Sequence, residues 1–351
     1  MSLRLILNRS ALCKNYGILK KYLDQRAFSL TVVTKLLQSH PDLMNLLKTM
    51  EIDCVADSYP QNLNKQSFTD CWNLCIPNPA TMNLILDHSH LSVHSNFKTI
   101  QELRHAAAKL NINHEILLMI DMGDWREGFP ITYLKNNLGY FADLKPLTLR
   151  GIAINLSCFA GVKLQQHHLQ DFIDIARLIR EKQSFNLLSL GNSSAIPFIE
   201  LWDSKKMKLW DNIDWNLRIG EALFCGTLPG ISKSILELQN IFTLQLPVVE
   251  AHHKEHILNQ DELIPNSFGK LRKSTSKGYG QRVILGAGKV DFDPQYMRFP
   301  ESLECLGASS DLCIFLNHGT PLEEGQIIDC IPDYHAVMNL ATSPRLELEI
   351  L

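Results

Sequence analysis

Phe28-Ser-Leu-Thr-Val-Val-Thr-Lys35 decides how the rest of the chain reads. The run is apolar and β-branched, bounded by a polar loop before it and a helical pattern after it, so it predicts a buried strand. A single lysine stands at its C-terminal end. In a parallel α/β barrel the strand C-termini carry the chemistry, because side chains there rise from a rigid floor into the ligand pocket. Lys35 is therefore a candidate Schiff-base lysine. The bland alternative is a lysine that ends a strand and points to water.

Outward from that stretch, strand-like and helix-like segments alternate to about residue 220. Strands are predicted at 28–35, 52–57, 72–76, 91–95, 115–121, 149–155, 186–190 and 213–219, with helical patterns such as 98–110 and 165–182 between them. In the first of these helices Ile100, Leu103, Ala107 and Leu110 share one face. Eight such units predict a (β/α)8 TIM barrel, with an open doubly wound sheet as the alternative. Strand-like runs then dominate at 236–250, 281–287, 312–316, 325–331 and 346–351, separated by Gly, Pro, Asn and Asp turns. They predict a mostly antiparallel β domain. The expected division is a barrel over 1–230 and a β domain over 231–351, with a long polar loop at 265–280.

Composition sets limits. The chain has 351 residues, 45% hydrophobic and 20% charged, with a net charge of −3. That is an ordinary globular balance, with no electrostatic case for nucleic acid or an anionic membrane as partner. No apolar run reaches the roughly 18 residues that span a bilayer, and the first residues are too short an apolar run for a secretory signal. The expected compartment is the cytoplasm. The nine cysteines include no CxxC pair, and most sit in apolar runs as small core residues. His252, His253 and His256 read as a solvated loop rather than a metal site. Leu285-Gly-Ala-Gly-Lys289 is not a P-loop, because Val283 stands where the first glycine belongs and Val290 follows the lysine.

Four predicted barrel strands end in complementary polar groups: Lys35, the stretch Asp121–Gly128, Gly191-Asn192-Ser193-Ser194, and Arg218 with Gly220. Barrel enzymes often bind phosphate with the loops after strands seven and eight. Ser193 and Ser194 offer hydroxyls there, and Gly191 and Gly220 let backbone amides approach an anion. An amine and an anion cradle on one face point to pyridoxal 5′-phosphate (PLP). Arg218 would then partner the pyridine nitrogen, and because it only donates, it would keep that nitrogen unprotonated. Such a ring is a weaker electron sink, suited to taking and returning a proton at Cα.

Several motifs lie in order along the chain. They are Val33-Thr-Lys35, Asp57-Ser58 with Asn62-Leu63, Met119–Gly128, Gly151–Leu156, Gly191–Ser194, Asn216–Ala222, Gly307–Asp311 and Thr342-Ser-Pro344. Together they resemble the fold-type III PLP-dependent amino-acid racemases, in the alanine racemase-like branch that contains ornithine racemases. The resemblance covers nearly the whole chain. It implies that Lys35 carries the cofactor and that Asn192, Ser193 and Ser194 hold its phosphate. It places Arg218, with Gly220 and Glu221 beside it, at the pyridine nitrogen, and Arg126 at the substrate carboxylate. Tyr334 resembles a phosphate-contacting tyrosine of the C-terminal domain. Asp311 resembles an aspartate contributed to the partner's site in a head-to-tail homodimer.

The departures carry information. Alanine racemases use a tyrosine in a Ser-Tyr-Gly motif as one base, and here the stretch is Ser267-Phe268-Gly269. Racemisation needs proton transfer on both faces of Cα, and one lysine covers one face. Asp311, Tyr279 and Lys289 are the candidates for the other, Asp311 foremost. After Lys35 the chain reads Leu-Leu-Gln-Ser-His, so Ser39 is the expected replacement for a lost phosphate-contacting tyrosine. Met119 stands where alanine racemases often keep a lysine. The expected activity is racemisation of a free amino acid larger than alanine, ornithine favoured. The alternatives are a PLP-dependent decarboxylase or other lyase, and a non-catalytic PLP-binding regulatory protein, against which the long 231–351 segment counts.

Overall fold

The computed structural model describes residues 2–203, 209–229, 235–253, 264–265, 268–269 and 280–351. The chain divides into two compact units, Arg9–Ile241 and Met1–Asn8 with Phe242–Leu351. The barrel domain was expected to span residues 1–230. Instead the first strand, β1 (Leu3–Leu7), joins the second unit, pairing with β10 (Phe242–His253) and β16 (Leu346–Ile350). Its alternating burial, with Leu3, Leu5 and Leu7 fully buried, is the period-2 signature of a strand with one face on a core.

The first unit is a closed parallel barrel of eight strands. These are β2 (Phe28–Val33), β3 (Cys54–Asp57), β4 (Asp70–Asn73), β5 (Leu91–His94), β6 (His114–Asp121), β7 (Leu147–Asn155), β8 (Leu187–Ser189) and β9 (Asp214–Ile219). β2 pairs with β9 to close the ring. Val33, Ala56, Trp72, Leu91, Val93, Leu117, Met119, Ala153 and Leu187 form one buried cluster, contributed by seven of the strands. That is the packed interior expected of such a barrel, which is a core and not a pore.

The helices cover the outer faces by the expected spacing. In Phe97–Leu110, Ile100, Leu103 and Ala107 are buried, and the Asn96 side chain accepts the Thr99 N–H as N-cap. Leu110, expected on the same face, is instead 46% exposed at the helix end, just before a left-handed Asn111. Among the described residues, no helix is long and apolar enough to cross a membrane.

The second unit adds β11 (Gln281–Leu285), β12 (Met297–Arg298), β13 (Leu303–Ala308), β14 (Cys313–Asn317) and β15 (Ile327–Pro332). The sheet order is β12-β15-β10-β11-β14-β13, antiparallel throughout, with β1 added on β10; among the described residues of this unit, the one parallel pair is β1 with β16. β13 was not expected, since its sequence mixes Glu304 and Gly307 into a short run.

Candidate active site

Lys35 does not extend the strand. β2 ends at Val33, and Lys35 opens a short 3-10 turn, Lys35–Leu37, followed by Gln38 and Ser39, both at φ 49°. Two successive left-handed non-glycine residues are costly and need side-chain support. Asp57, at the end of β3, supplies it. Thr34 Oγ1 lies 3.1 Å from Asp57 Oδ2 and 2.7 Å from Ser39 Oγ, and Ser39 donates to the same Oδ2 at 2.7 Å. Asp57 Oδ1 accepts the Tyr59 N–H and Asn62 Nδ2. Burial raises the Asp57 pKa, and the donors from Ser39, the Tyr59 amide, Thr34 and Asn62 oppose it. The residues on both sides of Lys35 are thus fixed, while Lys35 itself is half-buried. Ser39, expected as a phosphate contact, is 8% exposed and spent on Asp57 and Thr34. Asp57 appeared in the sequence only as a family marker, and its role there shows once β2 and β3 lie side by side.

The loops after β7, β8 and β9 meet. Ser157 Oγ donates to Ser194 Oγ at 2.7 Å, and Asn192 Oδ1 accepts the Ser194 N–H at 2.9 Å. Ser193, 2% exposed, accepts the Ala222 N–H at 3.2 Å. Each serine therefore accepts one bond and keeps its own hydroxyl proton to donate. Gly191 sits at φ 105°, outside the range of ordinary side chains, and a Cβ on Gly220 would stand 3.0 Å from the Val33 carbonyl. Glu221 accepts from Thr227 Oγ1 at 2.9 Å and so braces the short helix Glu221–Cys225.

Arg218 lies in the barrel interior, 6% exposed. Nη2 donates to the Ile154 carbonyl at 2.8 Å and Nη1 to Ser189 Oγ at 2.5 Å, whose hydroxyl in turn faces Asn216. Burial lowers its pKa to about 10, so it stays cationic at neutral pH. The guanidinium is balanced by neutral acceptors, which suits a partner that accepts but carries no full charge. Trp72, in the same interior, holds a buried indole N–H without an acceptor among the described residues. An amine at a strand end, hydroxyl donors on glycine-opened loops and a buried cation form a donor set that fits an aromatic aldehyde phosphate.

The loop after β6 closes on its own base. Phe129 donates to the Met119 carbonyl at 2.7 Å and Asp121 to the Phe129 carbonyl at 3.1 Å. Gly128, at φ 145°, lets the strands touch, since a Cβ there would come 2.4 Å from the Asp121 nitrogen. Asp124 is buried and accepts the N–H groups of Phe159 and Ala160. Arg126, expected at a substrate carboxylate, pairs with the Glu127 carboxylate through Nε and Nη2. Met119 is part of the apolar interior.

In the second unit Asp311 is fully exposed. Hydrogen bonds from Ser310 and Ser309 lower its pKa, which makes it a weaker base. Lys289 Nζ stands 3.7 Å over the Phe268 ring, the residue found where tyrosine was looked for. Lys289 and Asp311 are neighbours through the backbone, as Lys289 donates to the Ser309 carbonyl and a Cβ on Gly288 would lie 2.5 Å from the Asp311 nitrogen. Tyr334 is half-buried on the first turn of Tyr334–Leu340, capped by Asp333. Tyr279, Ser267 and His256 lie outside the described residues.

Residues 7–227 match the family model described as alanine racemase, N-terminal domain. The ornithine racemase of Acetoanaerobium sticklandii is 31% identical over 346 residues, 96% of each chain. The lysine racemase of Thermotoga maritima is 23% identical, covering 98% of this chain and 97% of that one. Among solved structures, alanine racemase from Streptomyces lavendulae is 14% identical with a TM-score of 0.74, over 100% of this chain and 97% of that one. Alanine racemase from Bartonella henselae with covalently bound pyridoxal phosphate is 13% identical with a TM-score of 0.72, over 100% of both chains.

Proposed function

We propose that this chain, which belongs to the alanine racemase family and is a pyridoxal 5′-phosphate-dependent amino-acid racemase, acts on a free amino acid larger than alanine, ornithine foremost. The observation that carries the reading is Lys35, set on a braced turn at the C-terminal rim of a closed parallel barrel. The name of the 31%-identical relative supports ornithine. Bound at this rim, the cofactor supplies an aldehyde for an amine and a ring that withdraws electrons from Cα.

The chain's own residues divide the remaining work. Lys35 binds the cofactor and moves the proton on one face of Cα. Ser193, Ser194 and Asn192 hold the phosphate, with Gly191 and Gly220 admitting it and Glu221 bracing the turn beside it. Arg218 donates a hydrogen bond without giving up a proton, and so keeps the ring nitrogen unprotonated. Arg126 turns from Glu127 to the substrate carboxylate. For the other face of Cα, Asp311 is the candidate named by its motif, and Lys289 is the one named by its place over Phe268. Tyr334 is assigned to the phosphate.

We extend the proposal to a cytoplasmic head-to-tail homodimer in which Asp311 of one chain serves the other's barrel. Trp125 and Phe159, on the loops after β6 and β7, are 82% and 71% exposed, which favours a covered surface. All nine cysteines are free, as a reducing compartment requires. Mixing inactive Lys35→Ala and Asp311→Asn subunits should restore activity, because the mixed dimer regains one intact site. No recovery would leave Asp311 without this role.

A panel of L-amino acids followed by optical rotation, with carbon dioxide measured alongside, tests the activity. Loss of rotation without gas is the expected result. Gas release would favour the decarboxylase reading.

A further inference from the structure

Arg126 and Glu127 hold each other. Arg126 donates through Nε to one oxygen of the Glu127 carboxylate and through Nη2 to the other. Adjacent side chains in an extended chain point apart. Here Trp125 at φ 55° and Gly128 at φ 145° turn the loop enough for them to meet. The Glu127 side chain is 7% exposed, against 39% for Arg126. Burial would lower the Arg126 pKa, but the hydrogen bond and charge of Glu127, joined by Cys158 and Asp124, raise it. Both Arg126 and Glu127 also act on the charge of Arg218, so the pair stands within Coulomb reach of the proposed cofactor site.

Turning Arg126 to a substrate carboxylate would leave Glu127 an almost buried anion without its partner. Stripping one member from a buried pair is strongly unfavourable. A substrate with a neutral side chain does nothing to relieve that. One with a second ammonium relieves it fully, because one internal ion pair is exchanged for two ion pairs to the ligand.

We infer that Glu127 is the specificity-determining carboxylate of this site and that the substrate is an α,ω-diamino acid, its carboxylate taken by Arg126 and its side-chain ammonium by Glu127. The inference rests on the racemase reading above and deepens it. Asp124 adds to it. That side chain is 1% exposed, its Oδ1 is used by the Phe159 and Ala160 amides, and its Oδ2 is buried without a hydrogen-bond partner among the described residues. An ammonium has three donors, more than one carboxylate oxygen uses. Asp124 Oδ2, on the same loop, is an acceptor for another.

The test compares L-ornithine with L-norvaline, which has the same carbon chain without the terminal amine, using purified holoenzyme. The wild type should prefer ornithine. Glu127→Gln should lower kcat/KM for ornithine about a hundredfold, mostly through KM, and should raise kcat/KM for norvaline, because turning Arg126 to the substrate no longer strands a buried carboxylate. Glu127→Asp, which keeps the charge, should keep the preference for ornithine. An equal fall for both substrates in Glu127→Gln would mean that Glu127 only holds Arg126, and would overturn the inference. So would a wild type indifferent between the two, or one that racemises alanine and ignores ornithine. A wild type inert on every amino acid would overturn the racemase reading itself, a different result from any of these.

Discussion

Two buried polar clusters in the barrel unit use similar side chains for opposite ends. At the rim, Thr34, Ser39 and Asp57 clasp the turn that begins with Lys35. Elsewhere in the same unit, Ser92 bridges His94 and His114, at 3.0 and 2.9 Å, and His94 Nδ1 lies 3.3 Å from Thr99 on the helix Phe97–Leu110. The histidine cluster fastens strands β5 and β6 to a helix and is complete in itself. Burial lowers the pKa of both histidines to about 3, so they are neutral wherever the protein works. The rim cluster instead fixes the neighbours of a lysine. Burial and perturbed titration do not make a site; standing at the strand C-termini beside an amine does.

The largest expected effect breaks the rim alone. Lys35→Ala should lower racemisation by about 10⁴-fold or more while the thermal midpoint stays within a few degrees. A large fall in that midpoint would make Lys35 structural. Asp57→Ala comes next. It strands the donors of Thr34, Ser39, Asn62 and the Tyr59 amide, and should cost about 2–4 kcal/mol in urea unfolding together with a clear loss of activity. Asp57→Asn, which still accepts, should be milder on both counts.

The histidine cluster should show in the pH dependence of stability. The unfolded histidines take up protons near pH 6.5, and the folded ones only near pH 3. Between those values the unfolded state binds more protons, so stability is present above pH 6.5 and is lost as pH falls towards 3. With both groups contributing, the slope approaches about 2.7 kcal/mol per pH unit, and His114→Gln should roughly halve it. Asp57 works the other way. Its raised pKa keeps a proton on the folded state, so it costs stability as pH climbs above 3.8. The smallest effect sharpens the contrast. Ser92→Ala should cost about 1–2 kcal/mol by unpairing two imidazoles, and leave kcat/KM within about twofold. A larger change in kcat/KM would tie the histidine cluster to the rim.

Much of the barrel was legible because burial on both faces leaves runs such as Leu-Met-Ile before Asp121 and Val-Val before Thr34. Its polar strand ends were legible for the same reason, since Lys35, Asp121, Asn192 and Arg218 interrupt apolar runs. β1 was not, because five residues alternating Leu with Arg and Ile do not say which sheet they will join. The bonds of Ser39 were not legible, as local sequence placed it next to the lysine but could not show Asp57 arriving from the next strand. The Arg126–Glu127 pairing was hidden by adjacency, which in a strand would have sent the two side chains opposite ways.

By itself the sequence determined the order of βα units, the lysine at the first rim position and the family to which the chain belongs, because periodicity and motif order are properties of neighbours along the chain. Which hydroxyl is spent on Asp57, which arginine is held by a carbonyl and a serine hydroxyl and which by a glutamate were decided only by the tertiary structure. Those partners are brought together by strand closure and loop curvature, and neither is written in any single stretch of residues.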